Sequence, residues 1–449
     1  MKLWDKGGSV SEEIERFTVG QDRELDRALA PWDVLGTLAH SQMLCQIGLL
    51  PEAEWRLLRP ELLKLYAQAC AGGLHIEPGV EDIHSQVELM LTRELGETGK
   101  KVHAGRSRND QVLVDLKLFF LGEIESLASL IRSLFDTLQR QSEAHRGTLL
   151  PGYTHFQIAM PSSFGLWFGA YAECLAEDLF PLYAAWQTAD QNPLGSAAGY
   201  GNSFPLDRHL TTRLLGFSSL SCNAVAAQMG RGKTERALAA ALAAIGATLN
   251  KLSTDVCLYM SQNFGFLTLP AELTTGSSIM PHKKNPDVFE LIRARSNRLQ
   301  ALPALVSQLT SNLPSGYHRD FQLLKEYLFP AIEDAKDCLR IAAYMLERVQ
   351  VQEDILDDPR YDYLFTVEAV NREVMAGLPF REAYRKIGAE VEAGTFRPDK
   401  TLRHTHAGSI GDPGTAYIAA KLERAMAAFP FAAFREAIAA LTAPEAPSA

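Results

Sequence analysis

The sequence predicts an all-α protein built around a central bundle of about five unusually long helices. Apolar residues recur at helical spacing from Val112 to about His145, a stretch that would span roughly 50 Å at about 1.5 Å per residue. Between Leu238 and Tyr259 the apolar spacing alternates between four and three, which is the heptad pattern of helices packed side by side. The alternation of apolar and polar residues that is typical of β-strands is nearly absent.

The same patterns divide the chain into three predicted domains. Moderate helices from about residue 12 to 95 predict an N-terminal helical domain over 1–105. The central bundle is expected over 106–350, and a small helical domain over 351–449, where breaks at proline and glycine become frequent. The long helices are predicted at 112–145, 164–186, 238–259, 286–309 and 322–346.

Helices of this length predict an oligomer. The small end domains of one subunit cannot cover them, so we expect copies of the chain to associate through the bundle. Faces such as the seam from Leu238 to Tyr259 are the expected interface. A monomer with long amphipathic helices at its surface is the alternative.

Composition is that of ordinary globular material. The chain has 449 residues, 47% hydrophobic and 22% charged, enough for two or three domains. Lys and Arg number 44 against 54 Asp and Glu, a net charge of −10 without a basic block, so no nucleic-acid partner is expected. The N-terminus lacks the apolar run of a signal peptide, and the most apolar tract, 237–249, is too short to span a bilayer. We therefore expect no membrane partner and a cytoplasmic location.

Cysteine and glycine patterns favour a protein without cofactors. The six cysteines are scattered, with no C-x-x-C pair and no histidine cluster at metal-ligand spacing, so they are interpreted as core thiols in a reducing compartment. We expect neither zinc nor disulfides. His84 is isolated in the sequence and is interpreted as structural. Neither G-x-G-x-x-G nor G-x-x-x-x-G-K-[ST] occurs, so no organic cofactor is expected.

Three donor-rich loops interrupt the bundle, at Gly105–Gln111, Gly152–Gln157 and Gly276–Asp287. Loops at the ends of long antiparallel helices collect at the two rims of a bundle, so these segments can meet within a subunit or between neighbours. In the third loop, Asn285 is the predicted N-cap of the fourth long helix and Pro286 its first residue.

These loops carry groups suited to removing a proton next to a carboxylate. His155 can act as acid or base near neutral pH, and Glu290 could orient it. Ser277 offers a hydroxyl and Lys283 a fixed positive charge that would stabilise a dianion. Further donors for a carboxylate-rich ligand are Ser107, Arg108, Asn109 and Thr154.

Each of these residues also has a simpler interpretation. His155 alone is typical of a capped loop histidine, and Arg108 of a surface ion pair. Glu290 alone is typical of a helix N-terminus, where its charge interacts with the dipole. Only their joint presence favours catalysis.

The segment Gly276-Ser277-Ser278-Ile279-Met280-Pro281-His282-Lys283-Lys284-Asn285-Pro286 resembles the signature of the fumarase/aspartase superfamily. Fumarase, aspartase, adenylosuccinate lyase and argininosuccinate lyase share it. Within the superfamily, the segments 105–111, 152–157 and 193–196 resemble the argininosuccinate lyase branch, and the similarity extends with gaps over nearly the whole chain.

The resemblance implies a homotetramer with a twenty-helix core, in which each active site is assembled from three subunits. It implies reversible β-elimination of L-argininosuccinate to L-arginine and fumarate, without a metal or an organic cofactor. Ser277 would be the base, on a mobile loop that closes over the substrate. Lys283, with Asn285 nearby, would stabilise the aci-carboxylate intermediate, and His155, paired with Glu290, would help protonate the leaving nitrogen. The residues implied to hold the substrate are Ser107, Arg108, Asn109, Thr154, Tyr317, Gln322 and Lys325.

Three departures from the family pattern concern the amino-acid end of the substrate site. Gly20 stands where many members carry a serine that contacts the substrate, residues 228–233 replace an acidic-arginine segment, and His282 is typical of adenylosuccinate lyase. One alternative is therefore a sister lyase acting on another N-substituted aspartate, such as adenylosuccinate. An alternative of another class is a non-catalytic structural protein, like the relatives of this family found in eye lenses.

Overall fold

A computed structural model describes residues 12–444. Residues 1–11 and 445–449, which belong to the first and last predicted domains, lie outside this range. The helices are α1 (Glu12–Val19), α2 (Asp22–Leu25), α3 (Ala30–Gln46), α4 (Glu52–Cys70), α5 (Ile83–Leu95), α6 (Glu97–Lys100), α7 (Arg108–Ala144), α8 (Phe164–Ala189), α9 (Arg208–Leu214), α10 (Ala224–Met229), α11 (Lys233–Tyr259), α12 (Asp287–Leu309), α13 (Leu323–Leu346), α14 (Thr366–Met375), α15 (Phe380–Glu392), α16 (Thr415–Met426) and α17 (Phe431–Thr442). The strands are β1 (Leu149–Thr154), β2 (Gln157–Ser163), β3 (Gln191–Asn192), β4 (Ser219–Leu220), β5 (Leu267–Thr268) and β6 (Gln350–Val351), which form three two-stranded sheets.

The predicted all-α architecture is confirmed. The five long helices correspond to α7, α8, α11, α12 and α13. The longest, α7, has 37 residues and is about 55 Å long. In the bundle α11 packs against α12 and α8, while α7 packs against α8 and α13.

The heptad seam of α11 is buried inside the subunit, so its predicted use as an interface between subunits is wrong. Leu238, Leu242, Ile245 and Leu249 are fully buried because α8 and α12 cover them. At Gly246 a Cβ atom would lie 3.0 Å from the Leu299 side chain of α12, so the two helices approach closely. The sequence period showed that the seam packs against helices, and the structure shows that these helices belong to the same chain.

Another part of the surface of α12 is left uncovered. Between α12 and α13 runs a groove of about 510 Å³, which we call the α12/α13 groove. Leu291 is 61% exposed there, and Tyr344 is 46% exposed. The residues lining the groove are Val288, Leu291, Ile292, Arg295, Asp337, Cys338, Arg340, Ile341 and Tyr344.

Two further expectations change with the structure. By length and hydropathy alone the helical stretch 224–259 could cross a membrane, but half of its apolar window is buried in the chain, as in a core helix. The six cysteines are free thiols, of which Cys338 is buried and Cys45 and Cys257 are partly buried against the main core. The other three are exposed, so the prediction that the cysteines are core residues is wrong for Cys70, Cys174 and Cys222.

The C-terminal segment packs in two places. Val370, Ala383, Ile387 and Phe396 form a small separate core between α14 and α15. After it the chain returns to the main core, where α16 packs on α8. The division into three domains at residues 105 and 350 stays a prediction.

An ion cluster joins the N-terminal helices to the bundle. His84 Nδ1 of α5 lies 2.6 Å from Asp33 Oδ1 of α3 and 3.4 Å from Asp115 Oδ2 of α7, with all three side chains buried. Burial disfavours charge on the imidazole, but the two carboxylates outweigh it and raise the pKa of His84 to about 9. An imidazolium ion has no free lone pair, so we treat these three residues as an ion cluster, although their ligand atoms lie within 4.8 Å of one another.

The close approach at Gly246 gives a test of the bundle packing. Gly246→Val should lower the melting temperature, because the added side chain meets Leu299 and the Ser296 carbonyl oxygen; overpacking a core costs about 1–3 kcal/mol. Gly388→Ala is the control, since a Cβ atom in α15 meets nothing within 4 Å, and it should raise stability by about 0.5–1 kcal/mol. Thermal unfolding followed by circular dichroism measures both, and an unchanged midpoint for Gly246→Val would contradict the packing.

The ion cluster makes stability depend on pH. An unfolded histidine loses its proton near pH 6.5, whereas His84 in the fold keeps it to about 9. The contribution of the cluster is therefore complete below pH 6.5 and is lost as pH rises through about 9, a change on the order of 3 kcal/mol. The measurement is the difference in unfolding free energy between the wild type and His84→Gln, which should shrink as pH rises. His75→Gln, which replaces an exposed histidine in the same way, is the matched control.

Candidate active site

A polar cavity of about 320 Å³ lies where the N-terminal helices meet the rim of the bundle. Its walls come from α2, the segment before α5, the first turns of α7 and the segment that leads into α13. Among the predicted substrate contacts, five line it: Arg108, Asn109, Tyr317, Gln322 and Lys325. The other lining residues are Val19, Asp22, Asp26, Glu81, Asp82, Val112, Arg231 and Arg319.

Two arginines of the cavity share one carboxylate. Arg108 Nη1 lies 3.1 Å from Glu81 Oε2, and Arg319 Nη2 lies 3.2 Å from Glu81 Oε1. Arg108 Nε also lies 2.8 Å from Asp82 Oδ2, while the other carboxylate oxygen of Asp82 accepts from the Ser85 N–H and caps α5. The carboxylates before α5 therefore fix the guanidinium groups of two separate elements at the cavity wall.

Lys325 lies between two carboxylates. Its Nζ is 2.7 Å from Asp22 Oδ1 and 2.5 Å from Asp26 Oδ1. Burial disfavours the ammonium charge, but Asp26 and Asp22 outweigh it and raise the pKa of Lys325 above its usual value. For Asp22, burial disfavours the carboxylate charge and raises the pKa to about 6, although Lys325 acts in the opposite direction. In their charged forms the three groups carry a formal charge of −1 together.

The neutral polar residues of the cavity differ in whether their hydrogen-bonding groups are already paired. Gln322 Nε2 donates to Thr18 O at 2.9 Å and to Val19 O at 3.2 Å, so its amide holds the end of α1. The Asn109 amide and the Tyr317 hydroxyl have no hydrogen-bond partner within residues 12–444. These two side chains are the neutral donors available to a ligand.

Ser107 caps α7 rather than lining the cavity. Its Oγ accepts from the Asn109 N–H at 3.3 Å, and its own N–H donates to Asp110 Oδ1 at 2.8 Å. Asp110 Oδ2 also accepts from the N–H groups of Gly195 and Ala197, each at 2.9 Å. The first turn of α7 is thereby attached to the glycine-rich loop 193–201, and both hold Arg108 and Asn109 in place.

The loop before α12, which we call the 276–286 loop, holds Ser277 in a local turn. Ser277 Oγ accepts from the N–H groups of Ile279 and Met280, at 3.3 and 3.2 Å. Hydrogen bonds from N–H groups stabilise negative charge on an oxygen, so this arrangement suits a hydroxyl that acts as a base. The Lys283 side chain of the same loop is exposed and has no partner within the described part of the chain.

Asn285 closes this loop and does not cap the helix, so its predicted N-cap role is wrong. The Asn285 N–H donates to Thr275 O at 2.9 Å, and its side-chain amide donates to Gly276 O at 3.4 Å. The helix begins at Asp287, after Pro286, without a side-chain cap. Because the amide is used across the base of the loop, it is not available to the helix.

His155 lies at the tip of a hairpin. It and Phe156 form the two-residue connection between β1 and β2, with φ values of 54° and 59°. Positive φ at both central positions matches a type I′ turn, but costs free energy when neither residue is glycine. Strain that persists at an exposed histidine is typical of a functional site. Thr154, which precedes it, is exposed as well.

One chain does not bring all the predicted residues together. The 276–286 loop and the hairpin tip contribute no residue to the lining of the cavity, and no hydrogen bond or ion pair joins those two segments within residues 12–444. In particular, Glu290 Oε1 lies 3.8 Å from Arg293 Nη2, and Glu290 makes no ion pair with His155 in the described chain. The predicted pairing of His155 with Glu290 stays a prediction.

The sequence analysis missed the charged residues that complete the cavity. These are Asp22, Asp26, Glu81, Asp82, Arg231 and Arg319. Glu81 and Asp82 precede a helix in the sequence, which is a signal for a cap and not for a site. Arg231 was noticed only as part of a segment that departs from the family pattern.

Comparisons with known proteins agree with this geometry. A family model described as "Lyase" matches residues 13–300. Argininosuccinate lyase of Parabacteroides distasonis is 57% identical over 97% of this chain and 98% of its own length, and that of Phocaeicola vulgatus gives the same values. A crystal structure of EDDS lyase in complex with formate superposes with a TM-score of 0.73 at 21% identity, over 97% of this chain and 94% of that one, which shows the shared fold. The chain therefore belongs to the argininosuccinate lyase family.

Proposed function

We propose that this protein catalyses the reversible β-elimination of L-argininosuccinate to L-arginine and fumarate. The observation that carries the proposal is the set of cationic and donor groups on one cavity, combined with an intact Ser277 and Lys283 in a chain 57% identical to argininosuccinate lyases. The substrate combines carboxylates with a guanidinium and an ammonium group. A cavity lined by both arginines and carboxylates is complementary to it.

Ser277 is the proposed base. Its Oγ takes the proton from the carbon next to a carboxylate, and the electron pair moves into that carboxylate to give a dianion. Lys283 stabilises this dianion with its ammonium charge, while the N–H groups on Ser277 Oγ stabilise the oxygen before it accepts the proton. The carbon–nitrogen bond then breaks, His155 protonates the leaving nitrogen, and fumarate and arginine result. No step requires a metal or a cofactor.

The site is proposed to be complete only in a homotetramer, with three subunits contributing to each active site. Exposed groups support this: Phe156 at the hairpin tip is 85% exposed and Ile279 of the 276–286 loop is 83% exposed. The apolar α12/α13 groove offers a surface for association through the bundle. In this assembly the hairpin of one subunit and the loop of another meet at the cavity of a third, where Glu290 can reach His155.

We propose a cytoplasmic location, which agrees with free thiols that include the exposed Cys70, Cys174 and Cys222.

The second candidate function is a sister lyase acting on adenylosuccinate, which His282 favours. Purified protein offered argininosuccinate and adenylosuccinate in parallel, with fumarate followed by its ultraviolet absorbance, separates the two. Activity on adenylosuccinate alone would replace the first proposal, and activity on neither would favour a structural protein.

Ser277→Ala should lower turnover by about 10²–10⁴-fold while the melting temperature stays near that of the wild type, because it removes the base. The control is Ser278→Ala, which removes the neighbouring exposed hydroxyl from the same loop and should leave the rate within about threefold. Initial rates of fumarate release measure both. A rate near that of the wild type for Ser277→Ala would remove this residue from the mechanism.

Two inactive variants should restore activity when their subunits are mixed. If different chains supply His155 and Ser277 to one site, a mixed tetramer of His155→Ala and Ser277→Ala chains contains some sites with both residues intact. Dissociating and reassociating the two proteins together should recover a measurable fraction of the wild-type rate. Ser277→Ala mixed with Lys283→Ala is the control, because one loop carries both residues and no site can regain them. Recovery in the control, or none in the first mixture, would contradict shared sites.

A further inference from the structure

A second polar cavity, of about 710 Å³, lies in the C-terminal part of the chain and shares no lining residue with the first. We call it the C-terminal cavity. Strand β2, helix α14 and the segment 399–406 form its walls. Sites for small organic molecules have volumes of about 300–1,000 Å³, so its size suits such a ligand. The lining residues are Met160, Glu368, Asn371, Arg372, Val374, Met375, Asp399, Thr401, Arg403, His404, Thr405 and His406.

Both carboxylates of this lining are already engaged. His404 Nε2 donates to Glu368 Oε1 at 2.9 Å. Arg372 Nη1 pairs with the Asp399 carboxylate, and Arg372 Nη2 donates to the Asp399 carbonyl oxygen at 3.1 Å. Asp399 Oδ1 also accepts from the Thr401 N–H at 2.9 Å. These contacts hold two walls of the cavity together, and they occupy its negative charges.

The unpaired charge of the lining is the guanidinium of Arg403. Within residues 12–444 it makes no ion pair or hydrogen bond, and the side chains of Asn371 and Thr405 have no partner there either. His406 Nδ1 donates to the carbonyl oxygen of the next residue at 3.2 Å, which leaves its Nε2 free. A guanidinium binds carboxylate and phosphate groups through two parallel hydrogen bonds. The free groups of the cavity therefore suit an anion.

An apolar wall lies beside these donors. Met375 is 78% exposed, and Met160 and Val374 are 39% and 36% exposed. Removing apolar side chains from water is favourable, so a ligand that covers them gains affinity. An anion with an apolar body is complementary to both parts of the lining.

Met160 connects the cavity to the hairpin that carries His155. It lies in β2 and is paired with Gly152 of β1. The same strand packs against residues 359–365, which run directly into α14. A ligand in contact with Met160 and α14 together must therefore be released when the hairpin moves away from α14.

We propose that the C-terminal cavity binds a small organic anion and thereby holds the β1–β2 hairpin against α14. The carboxylate or phosphate group of the ligand binds Arg403, and its apolar body covers Met160 and Met375. The site is separate from the polar cavity at the rim of the bundle, and it does not depend on which substrate the protein converts.

Three probes with one body and different end groups test the proposal on the full-length protein. They are 4-phenylbutyrate, 4-phenylbutyl phosphate and 4-phenylbutan-1-ol, and titration calorimetry measures their dissociation constants. At least one anion should bind about fivefold or more tightly than the alcohol, as for a charge-assisted hydrogen bond at a partly exposed site. The stronger anion identifies the preferred end group. Equal binding of all three probes, or binding of none, would overturn the proposal.

Arg403→Gln should remove this preference and bring the anions within about twofold of the alcohol. Arg385→Gln is the matched control and should keep the preference, because Arg385 is exposed on α15, outside the lining, and has no partner within residues 12–444. Melting temperatures confirm that each variant is folded. An unchanged preference in Arg403→Gln would overturn the assignment, and so would its loss in Arg385→Gln, because the effect would then come from net charge.

Hydrogen exchange tests the contact with the hairpin without any measurement of activity. At ten times the dissociation constant of the anion, amides of residues 149–163 that exchange when the hairpin leaves α14 should slow about tenfold, because this opening must release the ligand. Amides of α4, which contributes no residue to the cavity, should keep their rates. Binding of the anion without slower exchange in 149–163 would show that the ligand does not hold the hairpin.

Discussion

Ion pairs between the N-terminal helices and the rim of the bundle determine the geometry of the cavity. Lys325 of α13 is held by two carboxylates of the N-terminal segment, and Arg108 of α7 by two more. Removing one partner of such a pair leaves an uncompensated charge, which is strongly unfavourable in a buried environment. The groups that hold the walls of the cavity in position are therefore the same groups that are presented to the ligand.

The cavity and the exposed loops of the site are held by different kinds of contact. The cavity is built on helix starts with capped N-termini, as at Asp82 and Ser107, and is fixed by many hydrogen bonds. Ser277 and His155 instead lie on exposed connections whose contacts are mostly local. This division suits an elimination in which a fixed wall binds one end of the substrate while a loop delivers the base to the other. It also explains why one chain holds the binding groups together but not the proposed acid and base.

The charged residues of the cavity are of both signs. Asp22 contributes a negative charge and Arg231 a positive one, although the segment around Arg231 departs from the family pattern. Charges of opposite sign on one wall suit a zwitterion. The groups proposed for the elimination itself, Ser277 and Lys283, lie elsewhere in the chain and are unaffected.

The sequence by itself determined the five long helices, because apolar periodicity over twenty or more residues has few structural solutions. It also identified the three loops, because their polar residues interrupt that periodicity. It proposed Arg108 and Asn109 as ligand donors from the loop before α7, and Tyr317, Gln322 and Lys325 only through resemblance to a family. All five line one cavity. What the tertiary structure decided was which surfaces meet: that the seam of α11 is covered by α12 of the same chain, that Asn285 closes a loop instead of capping a helix, and that Asp22 and Arg231 face one cavity. These outcomes depend on contacts between residues far apart in the chain, and local spacing carries no information about them.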